Sequence, residues 1–101
     1  MLIACSAFLA LAGVVKMLAA ETGLITNAVY QKNCEKCHGK TAEGRHFGGP
    51  ALISAKVQAM SGDDLRKMID EGKGRMPKFV GKLTAEEIDL LVQQIQMVNK
   101  K

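Results

Sequence analysis

The pattern of hydrophobic and polar positions changes character abruptly near the start of the chain. From Leu2 to Val15 every residue is apolar or small, and Lys16, Met17, Leu18, Ala19 and Ala20 follow. Such a run, closed by small residues, predicts the core of a signal peptide with cleavage after Ala20, although the usual basic residues do not precede it. Read through Ala20, the same run is nearly long enough to span a membrane, so a retained anchor is the alternative. Leu2-Ile3-Ala4-Cys5 also resembles a lipoprotein box, set very close to Met1. Each reading places the remainder outside the cytoplasm, in the periplasm or an equivalent compartment. The chain therefore divides into a leader or anchor, residues 1–20, and a domain, residues 21–101.

Beyond the leader the pattern is helical. Residues 27–33 predict a short helix that places Val29 and Tyr30 inward. Gly39, Gly44, Gly48, Gly49 and Pro50 put too many breakers into residues 39–50 for regular structure. A brief helix is expected over residues 56–60. Ser61 is a cap, Asp63 and Asp64 complement the positive end of the helix dipole, and Leu65, Met68 and Ile69 form a stripe that stops at Gly72. These acids are accounted for by capping and are assigned no chemistry. Residues 72–81 form a second loop around Met76-Pro77. Thr84-Ala85-Glu86-Glu87 is a capping box, and Ile88, Leu91, Val92, Ile95 and Val98 follow at helical spacing. No stretch shows the period of a strand, so the expected class is all-α.

Composition narrows the picture. The 101 residues predict one domain, with one Tyr, three Phe and no Trp for its core. A domain this small usually needs a staple or a cofactor to complete its core. Three cysteines give no disulfide framework. The net charge of +4 suits acidic partners. Sparse aromatics and the lack of a dense Lys/Arg cluster argue against nucleic acid.

The chemistry concentrates in Cys34-Glu35-Lys36-Cys37-His38, the c-type haem attachment signature. Within one turn of backbone, two thiols can each form a thioether with a haem vinyl group, and the adjacent imidazole can bind the iron. Half of a zinc site or a thioredoxin-like redox pair are the alternatives. Zinc would need further ligands, for which only Cys5 and His46 remain, and a redox pair of that kind needs a βαβ context.

An iron held by one His needs a second ligand or keeps an open position. Met1 and Met17 lie in the leader, Met60 precedes a cap, Met68 lies on a helix stripe, and Met97 is near the end of the last helix. Met76 stands in a glycine-flanked loop and is stiffened by Pro77, so it is the candidate sixth ligand. His46 could replace it in an alternative state, but an exposed loop histidine is the plainer reading.

Taken together, these motifs resemble the class I cytochrome c family of small soluble bacterial and algal monohaem proteins, over about residues 24–99. The attachment motif falls on Cys34, Cys37 and His38, and the ligand loop on Met76, Pro77 and Phe79. The family's Gly-Pro-x-Leu segment falls on Gly49, Pro50 and Leu52, and its N-terminal helix aromatic on Tyr30. The resemblance implies three to four helices wrapped around one covalently attached haem c per chain, ligated by His38 and Met76. It also implies that the Pro50 carbonyl accepts a hydrogen bond from His38. Thr26 stands where the family usually has a glycine, and Leu91 and Val92 where it offers an aromatic, so a different packing of the terminal helices is expected.

With both axial positions filled, the iron has no site for a small-molecule substrate. The expected function is therefore one-electron transfer between a redox donor and acceptor, not enzymatic catalysis. Lys32, Lys36, Lys40, Lys73, Arg75, Lys78 and Lys82 would face acidic docking surfaces. Two other functions fit the same residues. One is a relay subunit fixed in a membrane-bound respiratory or photosynthetic complex through residues 1–20. The other is a ligand-binding sensor in which Met76 dissociates.

Overall fold

The computed structural model describes residues 23–100, and the leader read from residues 1–20 lies outside them. A 3-10 turn, Leu24–Thr26, opens the domain. Helix α1, Ala28–Asn33, starts one residue after Asn27, which stays extended and accepts the Val29 N–H with its side chain at 2.8 Å. The backbone leaves the helix at Cys34 (φ −121°) and resumes as a single turn, α2, Glu35–His38. Helix α3, Ala55–Gln58, begins earlier than the apolar pattern alone indicates, because Ser54 accepts the Val57 N–H at 3.1 Å. Helix α4, Gly62–Glu71, is capped by Ser61 and stopped by Gly72 in a left-handed conformation (φ 71°). Helix α5, Ala85–Val98, carries the expected capping box. Glu87 N–H donates to Thr84 Oγ1 at 3.0 Å, and Thr84 N–H donates to Glu87 Oε1 at 2.8 Å.

The fold is mostly helical. Among the described residues only the isolated bridges Lys73–Met76 and Val80–Leu83 interrupt the helices and loops. Two of the helices are only four residues long, so the turns around the attachment motif and Ser54 add to the three to four helices expected. Among the described residues no helix is long and apolar enough to cross a membrane.

The core forms where α4 and the opening 3-10 turn meet α5. It joins Leu24, Tyr30, Leu65, Ile69, Phe79, Ile88, Leu91, Val92 and Ile95 in one cluster. The stripes read from the sequence supply most of these residues. Leu24 and Leu91 are almost fully buried, and the terminal segments close on them, leucine standing where the family resemblance usually has an aromatic. A polar contact adds register: Asn27 Nδ2 donates to Gln94 Oε1 at 2.7 Å across 67 positions of sequence. Arg66 and Asp89 pair across α4 and α5, but half-exposed ion pairs contribute less than about 1 kcal/mol. The fold therefore rests mainly on apolar burial.

Leu91→Ala should lower unfolding stability by about 3 kcal/mol, because a buried leucine leaves a cavity that its helical surroundings only partly refill. Denaturant unfolding followed by circular dichroism measures this. A loss below about 1 kcal/mol would mean that α5 does not centre the core.

Candidate functional site

His38 ends α2 with its side chain 8% exposed, and its Nδ1 lies 2.8 Å from the Pro50 carbonyl oxygen. A carbonyl can only accept, so Nδ1 carries the proton and donates. In the neutral ring Nε2 then bears a free lone pair and is the atom available to a metal.

The local sequence explains how Pro50 comes to this position. After α2 the chain folds back on the motif through backbone hydrogen bonds. Gly44 N–H donates to His38 O and Gly49 N–H to Cys37 O, both at 2.7 Å, and Leu52 N–H donates to Ala42 O at 2.9 Å. The glycine at position 49 is required by close approach, since a Cβ there would lie 2.8 Å from His38 Cε1. Ala42 is fully buried in the left-handed region (φ 61°), which costs a non-glycine residue roughly 1 kcal/mol. Its carbonyl is the acceptor for Leu52, so the strained residue lies in the same hydrogen-bonded return.

Tyr30 belongs to the same structure. It is 1% exposed, and its hydroxyl donates to the Gly39 carbonyl at 2.5 Å, tying α1 to the end of the motif. Burial, reinforced by the nearby Cys34, Glu43 and Glu35, pushes its pKa up to about 12.

The two cysteines differ. Cys34 is half-buried against the core and Cys37 is exposed. Burial, then the neighbouring Cys37, pushes the Cys34 thiol up to about 11. A reactive thioredoxin-like pair depends on a lowered thiol pKa, so this environment argues against that alternative. Among the described residues no three His, Cys, Asp or Glu side chains gather where they could hold a metal ion. Two thiols on one turn followed by a histidine with a free Nε2 fit a covalently attached haem.

Met76 lies on the second loop, half-buried against the core. Met76 N–H donates to Lys73 O at 2.9 Å, and Lys73 N–H returns to Met76 O at 3.1 Å. Gly72 must lack a side chain here, because a Cβ would fall 2.4 Å from the Met76 carbonyl oxygen. Phe79 is buried, and its N–H donates to Ile69 O at 3.0 Å, so the loop is anchored to α4. Leu52 is half-buried beside the core with Val29, Met60 and Leu83. His46 is exposed and meets the Phe47 ring edge-on, with centroids 4.5 Å apart.

The Tyr30 environment sets a pH dependence. Its pKa is raised from 10.0 to about 12 on folding, so the protonated phenol stabilises the native state fully below pH 10. That contribution should disappear as pH rises toward 12. Tyr30→Phe should lose about 1–2 kcal/mol at neutral pH and flatten this alkaline limb of the stability curve. Denaturant midpoints measured across that range test both effects, and an unchanged limb would dissociate Tyr30 from it.

The family model described as cytochrome c oxidase, cbb3-type, subunit III matches residues 25–95. Among solved structures, the c-type cytochrome KustC0563 is similar, with 27% sequence identity and a TM-score of 0.64. The match covers 78% of this chain and 100% of the other. No curated protein matches the chain. The attachment motif, the returned His38 ring and a family match over most of the domain agree: the chain belongs to the family of cbb3-type cytochrome c oxidase subunit III domains, as a small class I-like cytochrome c.

Proposed function

We propose that this protein is a one-electron carrier with a single haem per chain, ligated by His38 Nε2 and Met76 Sδ and attached through Cys34 and Cys37. The observation that carries the reading is the hydrogen bond from His38 Nδ1 to Pro50, which leaves Nε2 free and directionally fixed. The bound haem supplies the one-electron couple. The chain's own residues set the conditions for it. Pro50 holds the imidazole in one tautomer and raises its basicity, while the Met76 thioether favours the ferrous state. Tyr30, Leu52 and Phe79 line or brace the apolar surroundings. Were His38 and Met76 both to hold the iron, no coordination site would remain for a substrate, and the protein would transfer electrons without acting as an enzyme.

Lys32, Lys36, Lys40, Lys73, Arg75, Lys78 and Lys82 are all exposed. They lie on the segments carrying the proposed ligands, where positive charge would steer redox partners with acidic docking faces. Residues 1–20 direct the domain to an extracytoplasmic compartment. A second reading follows from the family description: a relay subunit held by those residues in a membrane-bound respiratory complex. The intact mass of the native protein and its presence in soluble or membrane fractions separate the two readings.

Acid-acetone extraction of the denatured protein should leave haem on the polypeptide, and a colourless pellet would remove the covalent attachment. Oxidised protein should show the weak near-infrared band of iron–methionine ligation. Met76→His should keep the haem and lower the potential, because imidazole donates more strongly to ferric iron than a thioether does. Persistence of the band in Met76→Ala would transfer the ligand role to another residue, such as Met60.

A further inference from the structure

Asn99, at the end of α5, is 61 positions from His38 and belongs to none of the motifs above. Its side chain nevertheless makes three hydrogen bonds. Nδ2 donates to Leu52 O at 2.7 Å and to Ile95 O at 2.8 Å, and Oδ1 accepts from Ser54 N–H at 3.0 Å. The bond to Ile95 is local, four residues back along α5, and closes the helix end. The other two cross the molecule to the segment that follows Pro50.

This segment is therefore clamped twice. Leu52 N–H is held by the Ala42 carbonyl at 2.9 Å, and Leu52 O by Asn99. Ala42 belongs to the return immediately after His38, and Asn99 belongs to the helix at the centre of the core. Pro50, whose carbonyl accepts the His38 proton at 2.8 Å, is two residues upstream of the clamped Leu52. Loop 39–50 has little packing of its own: Arg45, His46, Phe47, Gly48 and Pro50 are exposed. Gly49 N–H ties the chain before Pro50 to the Cys37 carbonyl, and the Leu52 clamp ties the chain after it, so the Pro50 carbonyl is held against His38 from both sides.

We infer that Asn99 is a positioning residue for the proximal ligand: it anchors Leu52 and Ser54 to α5 and thereby holds the Pro50 carbonyl against His38 Nδ1. The inference rests on His38 being the iron ligand, as proposed above. A shorter, steadier Nδ1–H to carbonyl bond gives the ring more imidazolate character and favours ferric iron. Releasing the strap weakens that bond and favours ferrous iron, so loss of Asn99 raises the reduction potential.

The test compares the holoprotein with Asn99→Ala, Asn99→Leu and Thr84→Ala. Leu keeps the size of the side chain and adds no charge, but can neither accept from Ser54 N–H nor donate to Leu52. Thr84→Ala removes the cap at the opposite end of the same helix, so it lowers stability without touching the strap. Equilibrium redox titration should give higher potentials for both Asn99 variants and the wild-type value for Thr84→Ala. If both Asn99 variants lose stability as Thr84→Ala does and keep the wild-type potential, Asn99 is only a helix cap and the inference fails. Hydrogen exchange on the reduced wild-type protein decides the matter even if the variants do not fold. The Ser54 amide should be protected together with the amides of α5, and an amide that exchanges freely overturns the clamp. The haem spectrum of His38→Ala beside that of the wild type keeps the two claims apart. A spectrum unchanged by His38→Ala counts against His38 as the ligand, whereas a changed spectrum with unmoved potentials in the Asn99 variants counts against Asn99 alone.

Discussion

The interaction on which the site depends is the 2.8 Å contact between His38 Nδ1 and the Pro50 carbonyl. A histidine beside two cysteines could point either nitrogen at a metal, and a free ring would rotate. Donation to a carbonyl removes that freedom, since only Nδ1–H can make the bond. Much of loop 39–50 serves this one contact. Glycine at 49 lets the backbone lie against the ring, and Gly44 and Gly49 return hydrogen bonds to His38 and Cys37. Ala42 accepts an unfavourable backbone conformation in the same return.

A loop so rich in glycine cannot hold itself by packing, so its order must come from elsewhere. Two side chains provide it. Tyr30 reaches from α1 to the Gly39 carbonyl, and Asn99 reaches from α5 to Leu52 and Ser54. Both helices are in turn joined to the core, α1 through Tyr30 and the Asn27–Gln94 bond, α5 through Ile88, Leu91, Val92 and Ile95. The methionine loop follows the same logic, with Phe79 buried in the core and bonded to the end of α4. The irregular segments carrying the proposed ligands are thus each tied to a helix of the core.

The sequence made the helices legible to the extent that they carry caps and stripes. Ser61 and Thr84 announce α4 and α5, and both caps are formed as the residue order requires. Boundaries differ at the caps: Asn27 stands outside α1 as its cap, and Ser54 starts α3 one residue before the expected position. The attachment motif was legible because its chemistry is local to five residues. Long-range side-chain contacts were not, because no period or short motif encodes them. Asn99 does stand where an asparagine often closes a helix, just past the last apolar residue, but that signal gives no sign of Leu52 or Ser54 as partners. Ala42 was hidden for a similar reason: nothing in an alanine's identity reveals a left-handed backbone, which only the surrounding hydrogen bonds impose.

The charge distribution follows from the same division of labour. Asp63, Asp64, Glu86 and Glu87 lie in the first turns of α4 and α5, where they complement the helix dipoles, and Asp89 pairs with Arg66. Much of the acidic complement is therefore committed to starting and joining the two helices that build the core. The loops keep exposed lysines and arginines, with Glu35 and Glu43 as the acids near the attachment motif. Glu43 is itself occupied: hydrogen bonds from its own backbone N–H, then from the Thr41 hydroxyl and N–H, hold its carboxyl below the usual range. A small net charge of +4 thus becomes a stronger local excess around the segments that carry Cys37, His38 and Met76. The rules that cap the helices also leave positive charge on the segments through which we propose that a redox partner docks.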